Sequence, residues 1–279
     1  MNVAIIGMGL IGGSMALALK EKKIASRIIG VDNNPAHRQK ALELGLADEM
    51  TDLSTAVKNA DLILLCIPVD KAEVILPGIL LQVNRQVIMD VGSTKYSIAE
   101  LARKQENGKR FVATHPMWGT EFSGPAAAVP GAFTDKAVVI CNKEQSAADA
   151  VELIENIYRQ LGMHIIYMDA KDHDVHAAYI SHISHITSFA LANTVLEKEK
   201  EDDAIFELAS GGFESTVRLA KSNPDMWVPI FMQNKENVLD VLNEHISQLR
   251  KFKSCLEKEN FEYLASLIQN ANTIKRILK

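Results

Sequence analysis

A histidine at the end of an apolar stretch is the first candidate for chemistry in this chain. In "VATHPMWGTEFSGP" (residues 112 to 125) the apolar run leads into His115, and Pro116 follows at once. Histidine has an unperturbed pKa of about 6.5, so it can accept or donate a proton at neutral pH. The alternative is a histidine that merely ends a strand. The segments around His115 indicate which of these two interpretations is correct.

The glycines near the N-terminus predict a dinucleotide-binding turn. Gly7, Gly9 and Gly12 form G-x-G-x-x-G between the apolar strand "NVAII" and a helix, with Leu10 and Ile11 inside the pattern. Such glycines permit a tight turn, let the backbone approach a pyrophosphate and let helix and strand pack closely. The helix N-terminus adds free N–H groups. We expect these five residues to bind the cofactor.

Asp32 indicates which dinucleotide is bound. It ends the next predicted strand, twenty residues after Gly12, and a carboxylate there accepts hydrogen bonds from the adenosine ribose and repels a 2'-phosphate. We therefore predict NAD rather than NADP. The alternative is an ordinary glycine turn with Asp32 capping the following helix. Cys66 and Pro68, at the end of "DLILLCIP", are expected to line the cofactor channel, although Pro68 could equally be only a stop before a helix.

A second strand end carries hydroxyl groups. "DVGSTK" (90 to 95) runs from a strand into a helix, and the default role of Ser93 there is an N-cap. Because this strand ends on the same sheet edge as the glycine turn, a ligand contact for Ser93 or Thr94 is an equal alternative. His115 stands on that edge too, where the nicotinamide is expected. Oxidising an alcohol there requires a base for the O–H proton as the hydride leaves, and such a base contributes roughly a hundred- to ten-thousand-fold in rate.

Paired histidines raise the question of a metal. His173 and His176, then His182 and His185, are spaced i, i+3 in a long helical segment. Neither pair has an acidic partner at a convincing ligand spacing, and hydride transfer to a nicotinamide needs no metal. We predict no metal site.

One arginine follows two glycines in the second half of the chain. The default interpretation of Arg218 in "GGFESTVR" (211 to 218) is a charged residue at the protein surface. It becomes a binding group if the substrate is a carboxylate, which a guanidinium holds through paired hydrogen bonds.

The elements that position these residues divide at residue 168. Residues 1–168 alternate β-branched runs with helical periods, which predicts an α/β domain with a doubly wound parallel sheet of the Rossmann type and helices on both faces. The predicted strands are "NVAIIG", "RIIGVD", "DLILLCIP", "QVIMDV", "RFVATH", "KAVVIC" and "HIIYMD". The predicted helices are 11–21, 35–44, 70–81, 95–105 and 146–161.

Residues 169–279 predict an all-helical domain, interrupted at 209–215 and 222–227. Residues 175–196 contain no Asp, Glu, Lys or Arg, but nine of them are polar, so a helix buried in protein is favoured over a membrane span. Further on, apolar positions step 4-3-4-3-4 along a coiled-coil-like seam, and a second helical segment follows from Leu264 to Leu278. The seam fits an intramolecular hairpin or a dimer interface equally well. Its residues are Val238, Leu242, His245, Leu249, Phe252 and Leu256.

Composition restricts partners and compartment. The net charge is -5 with Lys and Arg scattered, so no basic face for nucleic acid or membranes is expected. Cys66, Cys141 and Cys255 lack metal-type spacing, which favours reduced, buried thiols. Met1 leads directly into a strand without a secretory signal. We expect a cytoplasmic protein whose partner is a small molecule.

Five segments in a fixed order resemble the prephenate and arogenate dehydrogenases of tyrosine biosynthesis. They extend from about residue 3 to 234, and together they are far more specific than any one of them. The segments are "GMGLIGGS", "DVGSTK", "HPMWGTE", "SHISH" and "GGFESTVRLAKSNPDMW".

The resemblance implies NAD-dependent oxidative decarboxylation of a cyclohexadienol. In that reaction His115 takes the C4 hydroxyl proton, Ser93 hydrogen-bonds near the hydroxyl, and Arg218 holds the ring carboxylate. It also implies that the helical domain forms a homodimer, which favours the dimer interpretation of the seam. The remaining pocket residues that it implies are His185, Thr120, Glu121 and Trp227.

We therefore predict conversion of prephenate to 4-hydroxyphenylpyruvate, with arogenate as the alternative substrate. Trp118, Ser184 and the pair Glu214-Ser215 depart from common family residues, and they bear on that choice. Two other hypotheses remain: an NAD-dependent dehydrogenase of hydroxy acids or imines, and a non-catalytic NAD sensor.

Overall fold

The chain forms two compact units. The computed structural model describes residues 1–199 and 211–277, and its internal contacts group Met1–Asn234 into one unit and Lys235–Lys279 into another. The boundary predicted between residues 168 and 169 stays a prediction.

An eight-stranded sheet forms the centre of the first unit. Its strand order is β3-β2-β1-β4-β5-β6-β7-β8, and the first six strands follow the order of dinucleotide-binding sheets. Buried apolar clusters lie on both faces of the sheet, so the predicted doubly wound fold is confirmed. The strands are β1 (Asn2–Ile6), β2 (Arg27–Val31), β3 (Glu49–Met50), β4 (Leu62–Leu65), β5 (Val87–Asp90), β6 (Phe111–Pro116), β7 (Ala137–Cys141) and β8 (His164–Met168).

Helices cover the sheet and then make up the rest of the described chain. Those between strands are α1 (Leu10–Glu21), α2 (Pro35–Glu43), α3 (Leu53–Asn59), α4 (Val69–Leu80), α5 (Tyr96–Arg103) and α6 (Ala148–Gln160). Those after the sheet are α7 (Ala170–Ala177), a π-helical turn (Ala178–His182), α8 (Ile183–Glu199), α9 (Gly211–Val217), α10 (Pro224–Gln233), α11 (Lys235–Glu257) and α12 (Phe261–Ala271).

The sheet differs from the sequence prediction in two places. Strand β7 runs antiparallel to β6, because residues 117–136 carry only a 3-10 turn and no crossover helix to return the chain in parallel. Strand β3 and helix α3 were not predicted. With two residues, β3 is too short to show a strand period.

The helical half also corrects the prediction. Helix α10 begins at Pro224, and the Asn223 side chain accepts a hydrogen bond from the Asp225 N–H at 2.9 Å. The predicted break over 222–227 is therefore wrong beyond residue 223, since proline fits the first turn of a helix. The break at 209–215 lies partly outside the described residues, and the chain is helical from Gly211. The π-helical turn at 178–182 was not foreseen.

The second unit is a helical hairpin of α11 and α12. The second helix runs over Phe261–Ala271 and continues as a 3-10 turn, Asn272–Arg276, while Leu278 lies outside the described residues. Of the seam, Val238 is buried, whereas Leu249 and Leu256 are 54% and 59% exposed. The hairpin alone therefore does not bury the seam. No helix in the described part of the chain is long and apolar enough to cross a membrane.

Candidate active site

The glycine turn (Gly7 to Gly12) fits a pyrophosphate. Gly7 has a φ of +97°, and a Cβ there would lie 2.4 Å from the Cys66 carbonyl oxygen. A Cβ at Gly12 would lie 1.9 Å from the Gly7 carbonyl oxygen, whereas a Cβ at Gly9 would meet nothing within 4 Å. Backbone atoms therefore leave no room for a side chain at Gly7 or Gly12. Open space remains at Gly9, in front of the N-terminus of α1, where a phosphate is favoured.

The Asp32 carboxylate follows β2 and joins two turns. Its Oδ2 accepts a hydrogen bond from the Met8 N–H at 2.9 Å, and its Oδ1 accepts one from the Asn34 N–H at 2.9 Å. The cap of α2 is Asn34, whose side chain accepts hydrogen bonds from Ala36 and His37. Capping by Asp32 is thus excluded, and the carboxylate lies directly beside the glycine turn.

Cys66 and Pro68 follow β4 next to the same turn. Burial, followed by the negative charge of Asp90, raises the pKa of the Cys66 thiol, so the thiol is neutral and serves as an apolar wall. Pro68 occupies the N-cap position of α4. The structure places the Cys66 backbone against Gly7 of the glycine turn, and contact of Cys66 or Pro68 with the cofactor stays a prediction.

His115 lies in β6 and begins a buried chain of side chains. Its Nδ1 is 2.8 Å from Nε2 of His173 on α7, and Nδ1 of His173 is 2.8 Å from Oδ1 of Asp174. We refer to these three residues as the histidine relay. The Nε2 of His115 has no partner among the described residues, and it is absent from the buried polar atoms that lack one, so it reaches solvent.

The surroundings keep the His115 ring neutral. Burial is the largest effect lowering its pKa well below the usual value, and His173, Lys95 and His182 lower it further. A neutral imidazole with a free nitrogen can accept a proton, which is what a general base requires.

The start of α5 is tied to the relay. Asp174 Oδ1 accepts a hydrogen bond from the Lys95 N–H at 2.7 Å, and Oδ2 accepts one from the Tyr96 N–H at 3.0 Å. The cap of α5 therefore comes from Asp174, and the N-cap alternative for Ser93 is excluded. The Ser93 hydroxyl makes no hydrogen bond within the described ranges. Thr94, by contrast, donates to Gln233 Oε1 at 2.6 Å, and a ligand contact for its hydroxyl oxygen stays a prediction.

An ion pair is buried beneath the same loop. The Lys95 ammonium is fully buried and contacts Asp90 Oδ2. Asp90 also accepts hydrogen bonds from the backbone N–H groups of Gly92 at 3.0 Å and of Thr114 at 3.1 Å. Removing one partner of such a pair is strongly destabilising. The pair fixes the β5–α5 loop against the strand that carries His115, and the sequence did not reveal it.

Two further histidines, His182 and His185, lie on the helical segments that follow the sheet. The His185 ring stacks on Trp227 with centroids 3.4 Å apart and an interplanar angle of 27°, and its Nδ1 donates to the Ser181 carbonyl oxygen at 3.1 Å. Nδ1 of His182 accepts a hydrogen bond from the Asn234 side chain at 3.1 Å. Burial lowers the pKa of His185 and lowers that of His182 to about 4. Within residues 1–199 and 211–277, no three His, Cys, Asp or Glu side chains gather as a metal site.

Arg218 pairs with the loop that follows β6. Its Nη1 donates to Glu121 Oε2 at 2.7 Å, and its positive charge contributes to the lowered pKa of His185. The backbone N–H of Glu121 and then Arg218 lower the pKa of the Glu121 carboxyl. Thr120 Oγ1 accepts a hydrogen bond from the Phe122 N–H at 3.3 Å. The structure therefore brings Arg218, Glu121 and His185 together.

Trp118 has a structural partner. Its ring packs edge-on against Phe133, with centroids 5.6 Å apart, and Phe133 belongs to the core on one face of the sheet. The ring therefore extends the core of the first unit.

These features define a class of protein. The strand order and the glycine turn with its carboxylate belong to dinucleotide-binding folds, and the neutral His115 ring lies at the carboxyl ends of the strands, where ligands of such sheets bind. The first unit is that of a nicotinamide-dependent dehydrogenase.

Similarity to known proteins identifies the family. Residues 15–167 match the nucleotide-binding domain of prephenate dehydrogenase, and residues 169–270 match its dimerization domain. The chain belongs to the prephenate dehydrogenase family. It is 32% identical to the prephenate dehydrogenase of Bacillus subtilis (strain 168), over 97% of this chain and 74% of that protein. It is 31% identical to the cyclohexadienyl dehydrogenase of Zymomonas mobilis, over 100% of this chain and 96% of that protein.

Solved structures agree with this assignment. The prephenate dehydrogenase of A. aeolicus, in complex with hydroxyphenyl propionate and NAD+, superposes with a TM-score of 0.91 at 29% identity, over 100% of this chain and 98% of that one. An arogenate dehydrogenase from Synechocystis superposes with a TM-score of 0.76 at 27% identity, over the whole of both chains. The predicted family, fold class and NAD-dependent dehydrogenase activity are confirmed, while the individual residue roles stay predictions.

Proposed function

We propose that this enzyme catalyses the NAD-dependent oxidative decarboxylation of prephenate to 4-hydroxyphenylpyruvate. The observation that carries the proposal is His115, a buried neutral histidine at the carboxyl edge of a dinucleotide-binding sheet. Its Nε2 has no hydrogen-bond partner among the residues that the structure describes. The name of the Bacillus subtilis relative, prephenate dehydrogenase, supports the same substrate.

The glycine turn and Asp32 hold the cofactor in this proposal. When bound, NAD supplies the hydride acceptor for the C4 carbon of the substrate. The N–H groups at the start of α1, with Gly9, Leu10 and Ile11 around them, bind the pyrophosphate. Asp32 accepts hydrogen bonds from the ribose hydroxyls, and Cys66 and Pro68 line the channel.

His115 and Ser93 handle the proton. Nε2 of His115 takes the proton of the C4 hydroxyl while the Ser93 hydroxyl hydrogen-bonds to the same oxygen. The hydride leaves C4, the bond to the ring carboxylate breaks, and its electron pair enters the ring, which becomes aromatic as carbon dioxide departs. The proton held by His115 is then available to the phenolate oxygen of the product, so protons and electrons balance.

Arg218 binds the carboxylate that leaves. Within residues 1–199 and 211–277 the guanidinium donates one hydrogen bond, from Nη1 to Glu121, so its other N–H groups can bind a carboxylate in this proposal. His185 and Thr120 complete the pocket, and Trp227 supports the His185 ring by stacking on it.

The charge balance favours prephenate over arogenate. Arogenate carries an ammonium group where prephenate carries a keto oxygen, and binding it calls for an unpaired carboxylate. The Glu121 carboxylate is already paired with Arg218, and Glu214 is exposed near Lys221 at 4.0 Å.

The direct test is an assay of both substrates with both cofactors. We expect prephenate and NAD to yield NADH and 4-hydroxyphenylpyruvate with the highest kcat/KM of the four combinations. A higher kcat/KM with arogenate would show that arogenate, and not prephenate, is the preferred substrate. The absence of NADH with either substrate would refute the proposed function.

We further propose that the enzyme is a cytoplasmic homodimer, with NAD bound by residues 1–168 and dimerisation through residues 169–279. The match of residues 169–270 to a domain described as a dimerization domain supports this. So does the apolar surface that α11 and α12 leave exposed. Light scattering after size exclusion should give twice the chain mass of 30.8 kDa, and Leu249→Glu together with Leu256→Glu should reduce that value. The exposed apolar residues there are Leu239, Leu249, Leu256, Phe261, Tyr263 and Ile268.

A further inference from the structure

The histidine relay contains two residues with no role in the chemistry described so far. His173 and Asp174 are 3% and 5% exposed, and Nε2 of His173 contacts Nδ1 of His115. Burying an imidazole and a carboxylate is costly unless their hydrogen bonds are made. Their contacts therefore call for an explanation.

The hydrogen bonds of Asp174 determine where the protons of His173 lie. A carboxylate oxygen only accepts hydrogen bonds, and Oδ1 of Asp174 lies 2.8 Å from Nδ1 of His173. Nδ1 of His173 therefore carries a proton. The Lys95 and Tyr96 N–H groups hold the carboxylate in place at 2.7 and 3.0 Å, so it cannot turn away from the ring.

The protonation of His173 determines which nitrogen of His115 carries a proton. In the neutral form of His173 a proton on Nδ1 leaves Nε2 as an acceptor. Nε2 lies 2.8 Å from Nδ1 of His115, so the proton between the two rings belongs to His115 Nδ1. The neutral His115 ring then has its lone pair on Nε2, the nitrogen without a protein partner.

We propose that His173 and Asp174 are positioning residues that fix the tautomer of His115, so that Nε2 is always the nitrogen that can accept a proton. The role of the base rests on the proposed function, whereas the tautomer itself is a property of the protein without ligands. When His115 takes a proton, its Nδ1–H remains hydrogen-bonded to His173, and the Asp174 carboxylate stabilises the new positive charge through that ring.

Nuclear magnetic resonance of the full-length protein, with ¹⁵N-labelled histidine and no substrate or cofactor, tests the tautomer directly. We expect His115, assigned by its loss in His115→Asn, to show a protonated Nδ1 and an unprotonated Nε2 at neutral pH. In His173→Leu the His115 proton should be distributed between Nδ1 and Nε2, because neither tautomer is then fixed. A protonated Nε2 in the wild-type protein, or an unchanged His115 signal in His173→Leu, would overturn the proposal.

Kinetics separate positioning from folding. His173→Gln keeps a side-chain oxygen that can accept from His115, whereas His173→Leu does not. We expect kcat to fall by roughly a hundred-fold or more in His173→Leu, which is within the contribution of a general base, and to be partly restored in His173→Gln. The KM for NAD should change in neither. Equal losses of kcat in both variants would contradict the proposal.

His176 provides the matched control. It lies on α7 with His173 but is exposed, so His176→Leu and His176→Gln should match the wild-type kcat.

The pH profile of kcat adds a readout, because Lys95, His173 and His182 all face His115 and depress its pKa, while Asp174 acts through His173. In His173→Leu the acidic limb should shift, and an unshifted limb would count against the role of His173. Failure of the proposed function would appear as absent turnover in every variant with the wild-type tautomer intact.

Discussion

The glycine turn and the histidine relay are built in opposite ways. The turn spans six residues, and its geometry follows from backbone contacts such as that between Gly12 and the Gly7 carbonyl oxygen. The relay joins residues 58 positions apart, His115 and His173, through side chains alone. The geometry of the turn is thus encoded locally, whereas the surroundings of His115 depend on the packing of α7 against the sheet.

The two regions should be sensitive to different substitutions. The turn should fail when a Cβ is added at Gly7 or Gly12, because the added atom would meet backbone that cannot move aside. A relay fails when one hydrogen-bonding atom is lost, even though the fold survives. Substitutions in the two regions should therefore separate binding from chemistry.

The sharpest separation is expected for His115→Asn. Loss of the base should lower kcat by about a hundred- to ten-thousand-fold, while the dissociation constant of NAD stays within a factor of about two, because the glycine turn is untouched. Stopped-flow kinetics and calorimetric NAD titration measure the two quantities. A kcat near the wild-type value would remove His115 from the proposed mechanism.

Gly12→Ala should produce the opposite result. The added Cβ would lie 1.9 Å from the Gly7 carbonyl oxygen, so we expect destabilisation by about 2 kcal/mol and loss of NAD binding. Gly9→Ala is the matched control, because its Cβ meets nothing within 4 Å. It should keep the wild-type Tm yet weaken NAD binding, since the methyl group fills the space for the pyrophosphate. If Gly9→Ala binds NAD normally, the pyrophosphate lies elsewhere.

The buried histidines should make the fold sensitive to acid. His182 has a pKa of about 4 in the folded chain against about 6.5 when unfolded, so the unfolded chain binds more protons between these values. The stabilisation, roughly 3 kcal/mol from this residue, is complete above pH 6.5 and is lost as the pH falls towards 4. Urea unfolding from pH 7.5 to 4.5 should show this slope. His182→Gln should flatten it, whereas the same change at the exposed His164 should not.

Arg218→Ala should act mainly on substrate binding. We expect the KM for prephenate to rise about ten- to a hundred-fold, the value of lost hydrogen bonds to a charged group, with a smaller effect on kcat. Arg218→Lys should fall between the wild type and Arg218→Ala because an ammonium cannot make paired hydrogen bonds. An unchanged KM in Arg218→Ala would place the carboxylate elsewhere.

The smallest effect is expected for Asp32→Ala. Loss of the ribose hydrogen bonds should weaken NAD by about ten-fold, and loss of the negative charge should improve NADP relative to NAD. The ratio of kcat/KM for the two cofactors measures this. An unaltered ratio would refute the ribose assignment.

What the sequence could predict follows the same division. Seven of the eight strands, the glycine turn and Asp32 were predicted because their signals lie within a few consecutive residues. His115 was found through its position at a strand end. Its partners cannot be found in this way, because the sequence shows His173 only as half of an i, i+3 histidine pair and Asp174 carries no signal of its own.

Features that depend on contacts between distant segments were missed for one physical reason. A single sequence carries periodicity and turn chemistry, but not which side chain meets which. The Lys95–Asp90 pair, the antiparallel β7 and the π-helical turn all depend on how segments pack. The pairing of Arg218 with Glu121, 97 positions away, joins two residues that the sequence offered separately.

The cap of α5 has a consequence for the order of folding. Asp174 lies 79 positions from Lys95 and accepts a hydrogen bond from its backbone N–H. Closing so long a loop must precede any gain from this contact. The first turn of α5 therefore stays uncapped until α7 docks on the sheet. That docking event also brings His173 to His115, so the contact that we propose fixes the His115 tautomer forms only in the step that caps the helix. A partly folded chain in which the glycine turn has already formed consequently still lacks that contact.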